Sequence, residues 1–334
     1  MIISVISPEA MAHTEERFCM IINTGMRTDI PAFYSEWFIN RIQEGFVLVR
    51  NPYNPSQVTR YSLSPRVVDL IAFCTKDPAP MLPYMDHLKP YGQYWFVTIT
   101  PYGTDIEPHV PDKQKVMESF RRLSDTVGVD SIGWRYDPIL VDDKHSVDWH
   151  IAAFQQMAES LSGYTKTCVI SFIDIYKKVD QNFPEAREVS QKDRLTIGKA
   201  FIDIVRKYDM MIRPCAEGNE LAAYGADCLG CMTVKTFETA LHESLAVPKR
   251  AKNQRNGECA CLLGTDIGAY DTCGHLCRYC YANAHPELVK ANRKRHDPKS
   301  PFLIGNSEPG DVVHVAEQKS WIDHQMRLDF YNMG

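Results

Sequence analysis

Over the first two thirds of the chain, short continuous apolar runs alternate with stretches whose apolar residues recur at helical spacing. "FCMIIN" (18–23) reads as a strand, and "AFYSEWFINRIQEG" follows it with Tyr34, Phe38 and Ile42 on one face. Pro31 suits a first helical turn and Gly45 a C-terminal stop. The strand "FVLVR" (46–50) leads into a Pro- and Asn-rich excursion expected to be a hairpin or loop. "LIAFC" (70–74), "YWFVTIT" (94–100), "VDSIGWRYDPILV" (129–141), "CVISFID" (168–174) and "MMIRPCAEG" (210–218) supply further strands. Between them, "KVMESFRRLSDTVG" sets Val116, Phe120, Leu123 and Val127 on one helical face before Gly128. "HIAAFQQMAESLSG" and "RLTIGKAFIDIVRKYD" also read as helices.

These strands are apolar throughout instead of alternating, which marks a parallel sheet covered on both faces. The pattern predicts an α/β fold: a (β/α) TIM-type barrel, complete or partial, over residues 1–218. A Cys-rich segment, 219–334, is expected to pack on the barrel mouth. A doubly wound open sheet is the alternative.

In a barrel the active site lies at the C-terminal ends of the strands, and polar residues gather at those positions. Arg27 and Asp29 follow the first strand, Arg50 and Asn51 end the second, and Thr75, Lys76 and Asp77 follow "LIAFC". Arg135 and Asp137 come in "WRYDP", Asp174 in "SFIDIY", and Cys215 and Glu217 in "PCAEG". Each alone reads as a salt bridge or turn residue. Together they form a rim suited to a small zwitterionic or anionic ligand, with Arg27, Asp29, Lys76, Arg135, Asp137 and Glu217 as candidates for catalysis. Arg135 and Asp174 are also candidate cofactor contacts.

Charge removes some classes of function. The net charge of −5 over 334 residues offers no broad basic face for nucleic acid. Two local basic runs, "PKRAKNQR" (248–255) and "KANRKRHDPK" (290–299), stand out against it. The N-terminus does not read as a signal peptide, and no apolar run approaches the roughly 20 residues of a membrane span. Eleven cysteines then argue for a reducing, cytoplasmic setting in which thiols bind metals or do chemistry. Nucleotide loops, nucleophile elbows and zinc-protease helices of known pattern are absent from the sequence.

Eight of those cysteines fall between Cys215 and Cys280, and "YDTCGHLCRYCYAN" (270–283) packs three of them at Cys-x3-Cys-x2-Cys spacing. Cys273, Cys277 and Cys280 can converge on one metal centre, and thiolate softness selects zinc, copper(I) or iron–sulfur. A zinc site usually takes four protein ligands, so a mixed site with His275 or His285 stays open. A 4Fe–4S cluster on three thiolates instead leaves one iron free for a substrate.

The loop "CGHLCRYC" resembles the cluster loop of radical S-adenosylmethionine enzymes, including the aromatic residue before the last cysteine, Tyr279. That resemblance implies a 4Fe–4S cluster on the triad, S-adenosylmethionine on its open iron and Tyr279 beside the adenine. Reductive carbon–sulfur cleavage is the chemistry it carries, with 3-amino-3-carboxypropyl transfer as one outcome. In those enzymes the loop follows the first barrel strand, whereas here it follows the last recognisable one; in a closed barrel the two positions adjoin.

The chain as a whole is similar to an uncharacterised prokaryotic domain-of-unknown-function family with this late triad. The likeness rests on "RTDIPAFYSEWF", "VLVRNPYNP", "TKDPAPML", "TPYGTDIEP", "WRYDPIL", "CVISFID", "KNQR", "DIGAYDTC" and "CRYCYAN". Where that family tends to carry Ser-Arg-Arg-Thr-Asp, this chain has "TGMRTDIP", so Met26 replaces one arginine and Arg27 remains.

Cys215, the Cys228–Cys231 pair and the Cys259–Cys261 pair form a second group. Four of them could hold an auxiliary iron–sulfur cluster or zinc; the plain alternative is small buried hydrophobes. The basic runs beside the triad offset the charge of thiolates. The expected function is therefore a radical S-adenosylmethionine-type enzyme with a small-molecule substrate and a flavodoxin- or ferredoxin-like electron donor, away from nucleic acid and membrane. A zinc-stapled hydrolase or isomerase using rim carboxylates, and an iron–sulfur electron carrier or redox sensor, are the competing expectations.

Overall fold

The expected strands exist, and each lies within a few residues of its sequence-derived place. A computed structural model describes residues 20–248 and 259–323. Residues 1–19, with the start of the 18–23 run and Cys19, lie outside the described residues, as does most of the basic run 248–255 with its "KNQR". Seven strands build the main sheet: β1 (Ile21–Asn23), β4 (Leu70–Thr75), β5 (Gly92–Thr98), β6 (Ile132–Ile139), β7 (Thr167–Phe172), β8 (Met211–Pro214) and β9 (Thr265–Asp266). They pair in parallel in the order β8-β7-β6-β5-β4-β1-β9.

The sheet does not close, which corrects the expectation of a complete barrel. Its two edges are β8, four residues ending in Pro214, and β9, two residues long. Strands this short present few ladder groups, and a proline adds no N–H donor to the edge. The strand order also lacks the reversal that defines a doubly wound sheet.

The Pro/Asn-rich excursion is a hairpin. Strands β2 (Phe46–Arg50) and β3 (Gln57–Ser62) pair antiparallel with Leu48 opposite Arg60, and β10 (Val312–Val315) adds to β3 in parallel. Segment 219–334 thus contributes β9 to the main sheet and β10 to the small one.

Successive residues of a strand point to opposite faces, and both faces are covered. On one, Ile71, Phe73, Trp95, Trp134 and Ile170 pack against α2 (Ser35–Glu44), α4 (Lys113–Val127), α5 (Val147–Ser160) and α7 (Gln191–Arg206) through Trp37, Phe38, Phe120, Phe154 and Phe201. Phe73 stacks on Trp95 at 3.8 Å between ring centroids and Phe154 on Phe201 at 3.6 Å. On the other, Ile21, Leu70, Ala72, Tyr94, Phe96 and Val169 meet Phe237 of α8 (Val234–Leu241), Leu262 and Trp321. Two-sided burial is why these strands read as unbroken apolar runs. The helix ends follow their sequence signals: Asp112, Ser146 and Ser190 cap α4, α5 and α7, and Gly45 ends α2 at φ 77°.

Candidate functional site

The strand β9 decides where the thiol loop goes. It pairs with β1 in register Ile22–Thr265 and Asn23–Asp266. Because the two strands are parallel, both chains leave at the same end of the sheet. The loop carrying Cys273, Cys277 and Cys280 therefore stands beside the β1 exit, Thr24–Asp29. Gly264, just before β9, permits this approach: a Cβ there would lie 2.3 Å from the Ile21 carbonyl oxygen of β1.

Asp29 joins three elements. Its Oδ1 accepts from Ala32 N–H (3.0 Å), capping the short helix α1 (Ile30–Phe33). Its Oδ2 accepts from Lys76 N–H (2.7 Å) after β4 and meets His275 Nε2 of the thiol loop at 2.9 Å. The other ring nitrogen of His275 is 3.3 Å from the His109 carbonyl oxygen.

Glu107 gathers a second set of partners behind Lys76 and Tyr279. Buried at 1% exposure, it accepts from Lys76 Nζ (2.8 Å), Thr100 Oγ1 (2.7 Å), Lys113 Nζ and the hydroxyl of Tyr279. Burial disfavours its charge, but the two ammonium groups outweigh that and hold its pKa at about 2. Burial likewise opposes the charge of Lys76, and Glu107 overcomes it, so Lys76 stays a cation.

A cavity of about 310 Å³ opens between these groups at the carboxyl ends of the strands. The three thiols of the triad line it, together with Asp29, Lys76, Asp137, Asp174 and Tyr279. As free thiols, Cys273 and Cys280 are pushed up by burial and Cys277 is pushed up to about 12, with Lys76 pulling down the last two. Backbone N–H groups point at the sulfurs: Ala282 N lies 3.3 Å from Cys280 Sγ, and His275 N–H bonds to Cys273. Thr28 Oγ1 and Asn283 Oδ1, both on residues of the cavity wall, are buried without a protein partner. Among the described residues no group of three or more His, Cys, Asp or Glu side chains stands in finished ligand geometry.

Other predicted residues lie elsewhere. Arg27 pairs with Asp266 of β9 at 2.9 Å and lines a second cavity of about 360 Å³ with Arg50, Asn51 and Tyr270. Arg135 lies behind Asp137, held to it through Nε at 3.0 Å; burial raises the Asp137 pKa, but the Arg135 charge together with hydrogen bonds from Ser171 and Arg135 leaves it lowered. Glu217 accepts from Phe172 N–H (2.7 Å) and Arg194 (2.8 Å), a strand-end tie apart from the cavity lining. Asp174 accepts from the Tyr176 hydroxyl at 3.0 Å. Of the second cysteine group, Cys215 reaches the cavity wall.

Sequence reasoning passed over Glu107 and Lys113, and it offered His275 as a zinc ligand, not as the partner of Asp29. Glu107 stood in "TPYGTDIEP", a quoted stretch, but several residues beyond its strand, where nothing local announces burial against two lysines.

Fold and site together define an α/β protein with a thiol-lined cavity at the carboxyl ends of a parallel sheet. A family model described as "Domain of unknown function (DUF1848)" matches residues 21–282, a span that includes all three triad cysteines. The chain belongs to that family. No curated protein matches it.

Proposed function

We propose that this chain is a radical S-adenosylmethionine-type enzyme. Cys273, Cys277 and Cys280 would hold a 4Fe–4S cluster with one iron left open, and S-adenosylmethionine and a small-molecule substrate would share the adjoining cavity. The observation that carries this reading is the meeting of three thiols, Cys277 buried and Cys273 and Cys280 half-buried, with the half-buried Lys76 ammonium on one cavity at the carboxyl ends of the strands. When bound, the cluster supplies one electron for reductive cleavage of a carbon–sulfur bond.

The donor set suits three-thiolate ligation. Both ring nitrogens of His275 are engaged, and His285 is exposed with its Nδ1 capping the helix α9 (Pro286–Lys294). Neither histidine is thus placed as the fourth ligand that a mixed zinc site would need. Buried thiols with raised pKa values also need a cation before they can become thiolates, which a bound metal provides.

The remaining residues bind, orient and exclude water. The Lys76 ammonium, fixed by Glu107, is the cation offered to a ligand carboxylate. Asp174 and the orphaned Thr28 hydroxyl and Asn283 carbonyl oxygen offer partners to hydroxyl and amino groups. Tyr279 places an aromatic ring on the cavity wall beside the triad.

Protein purified without oxygen should be brown, carry iron and acid-labile sulfide, and give a reduced-cluster signal in electron paramagnetic resonance. Dithionite and S-adenosylmethionine should then yield 5′-deoxyadenosine or methylthioadenosine. Zinc alone at the triad would overturn the cluster, and an intact cluster without either product would overturn the enzyme in favour of an electron carrier. Cys277→Ala should lose the iron, whereas Lys76→Met should keep it and lose the product.

A further inference from the structure

The five cysteines of the second group divide sharply in space. Cys231 and Cys261 are buried on the face of the sheet that α8 covers, with Cys215 and Cys259 packed against the same apolar cluster. Cys228 packs instead against the cluster on the opposite face. Cys231 Sγ stands 4.0 Å from Cys215 Sγ and 3.9 Å from Cys261 Sγ, and the thiol of Cys259 contacts that of Cys261.

These separations are too long for disulfides, whose sulfurs bond at about 2.05 Å. They match the edge of a tetrahedron of thiolates around one zinc-sized ion, about 3.8 Å for metal–sulfur bonds of about 2.3 Å. A cubane puts a different iron behind each thiolate and spreads the sulfurs much further apart.

The surroundings favour thiolates. Met232 N–H points at Cys261 Sγ at 3.3 Å, and the Arg135 guanidinium lies 3.9 Å from Cys231 Sγ. Donors of this kind support metal-bound sulfur from the outer shell. The chain also bends to permit the approach. Gly230 has φ +131°, and a Cβ there would stand 2.8 Å from Cys261 Sγ.

We propose that Cys215, Cys231, Cys259 and Cys261 bind a single divalent ion of the zinc class, which ties the end of β8 to the segment leading into β9. Binding draws Cys259 in from its place beside Cys261 as the fourth ligand. Its role is structural: it fixes the return of the chain to β9, and with it the position of the triad loop. The site does not depend on what the triad holds.

Metal analysis of the full chain, purified without oxygen, should find one zinc per chain. X-ray absorption should give a sulfur-only shell at about 2.3 Å. The zinc should persist in the triple variant Cys273→Ala/Cys277→Ala/Cys280→Ala and in Cys228→Ser. Cys231→Ser and Cys261→Ser should lose it and unfold at lower temperature; if they do not fold, the wild-type spectrum and Cys228→Ser still decide. The proposal is overturned by wild-type protein without sulfur-bound zinc, by zinc that survives Cys231→Ser, by zinc lost in Cys228→Ser, or by iron and sulfide remaining in the triple variant. An empty triad leaves these readouts unchanged, and a triad that holds zinc adds a second zinc that the triple variant loses, so the count and the Cys231→Ser result are then read in the triple-variant background.

Discussion

His275 Nε2 lies 2.9 Å from Asp29 Oδ2, joining the thiol loop to the exit of β1 across a sequence separation of 246. The same oxygen accepts from Lys76 N–H, and the other caps α1 at Ala32. One carboxylate thus anchors three chain segments around the cavity. Four predictions follow from this wall and the core behind it.

Asp29→Asn keeps the shape but replaces one acceptor oxygen with an amide NH2. Its remaining oxygen can serve Lys76 and His275, which turns the NH2 toward the Ala32 N–H. Losing that cap should cost about 1–2 kcal/mol, measured by urea unfolding. An unchanged midpoint would show that the carboxylate is not what holds these segments.

Glu107 links stability to acid. Its folded pKa of about 2 lies below the ordinary value of 4.5, so its contribution is fully present above pH 4.5 and is lost as pH falls toward 2. The contribution should be on the order of 3 kcal/mol. Glu107→Gln should be less stable than wild type at neutral pH, and the gap should narrow over that window in unfolding free energies measured against pH.

His150 acts in a higher window. Its Nε2 bonds to the Leu140 carbonyl oxygen at 2.6 Å and must carry the proton, leaving Nδ1 to accept from the Tyr136 hydroxyl at 2.7 Å. Burial holds its pKa down at about 4, against an ordinary value of 6.5. Between these values the unfolded chain binds the extra proton, so stability is present above pH 6.5 and declines as pH falls toward 4. His150→Gln should flatten the stability profile across that interval; a profile identical to wild type would reject the assignment.

Tyr279 separates ring from hydroxyl. Tyr279→Phe removes one donor from Glu107, which keeps Lys76, Thr100 and Lys113, so stability should change by about 1 kcal/mol. Under the proposed function, product formation should stay within a few-fold for Phe, which retains the ring. It should drop by roughly tenfold or more for Tyr279→Ala, the scale of lost stacking on a base. Equal losses in both variants would place the role in the hydroxyl.

The legible parts of this protein were local. Continuous apolar runs announced β4 to β8 because burial on both faces leaves no polar alternation, and Gly45 and Gly128 marked helix ends through their backbone freedom. The Cys-x3-Cys-x2-Cys spacing was equally visible. The strand β9 was not, because two residues, Thr265 and Asp266, carry no periodicity of their own and are a strand only because β1 lies beside them.

Sequence by itself thus determined the element types, the two-sided burial of the strands and the presence of a compact thiol motif, since each depends on residues near one another along the chain. Tertiary structure alone decided that the sheet stays open, that the thiol loop stands beside β1, and that Arg27 and Glu217 tie strand ends while Glu107 gathers two lysines. It also sorted Cys228 from the other four thiols. Those outcomes depend on side chains brought together from segments far apart in sequence, and Coulomb forces and hydrogen bonds act only across the distances that folding creates.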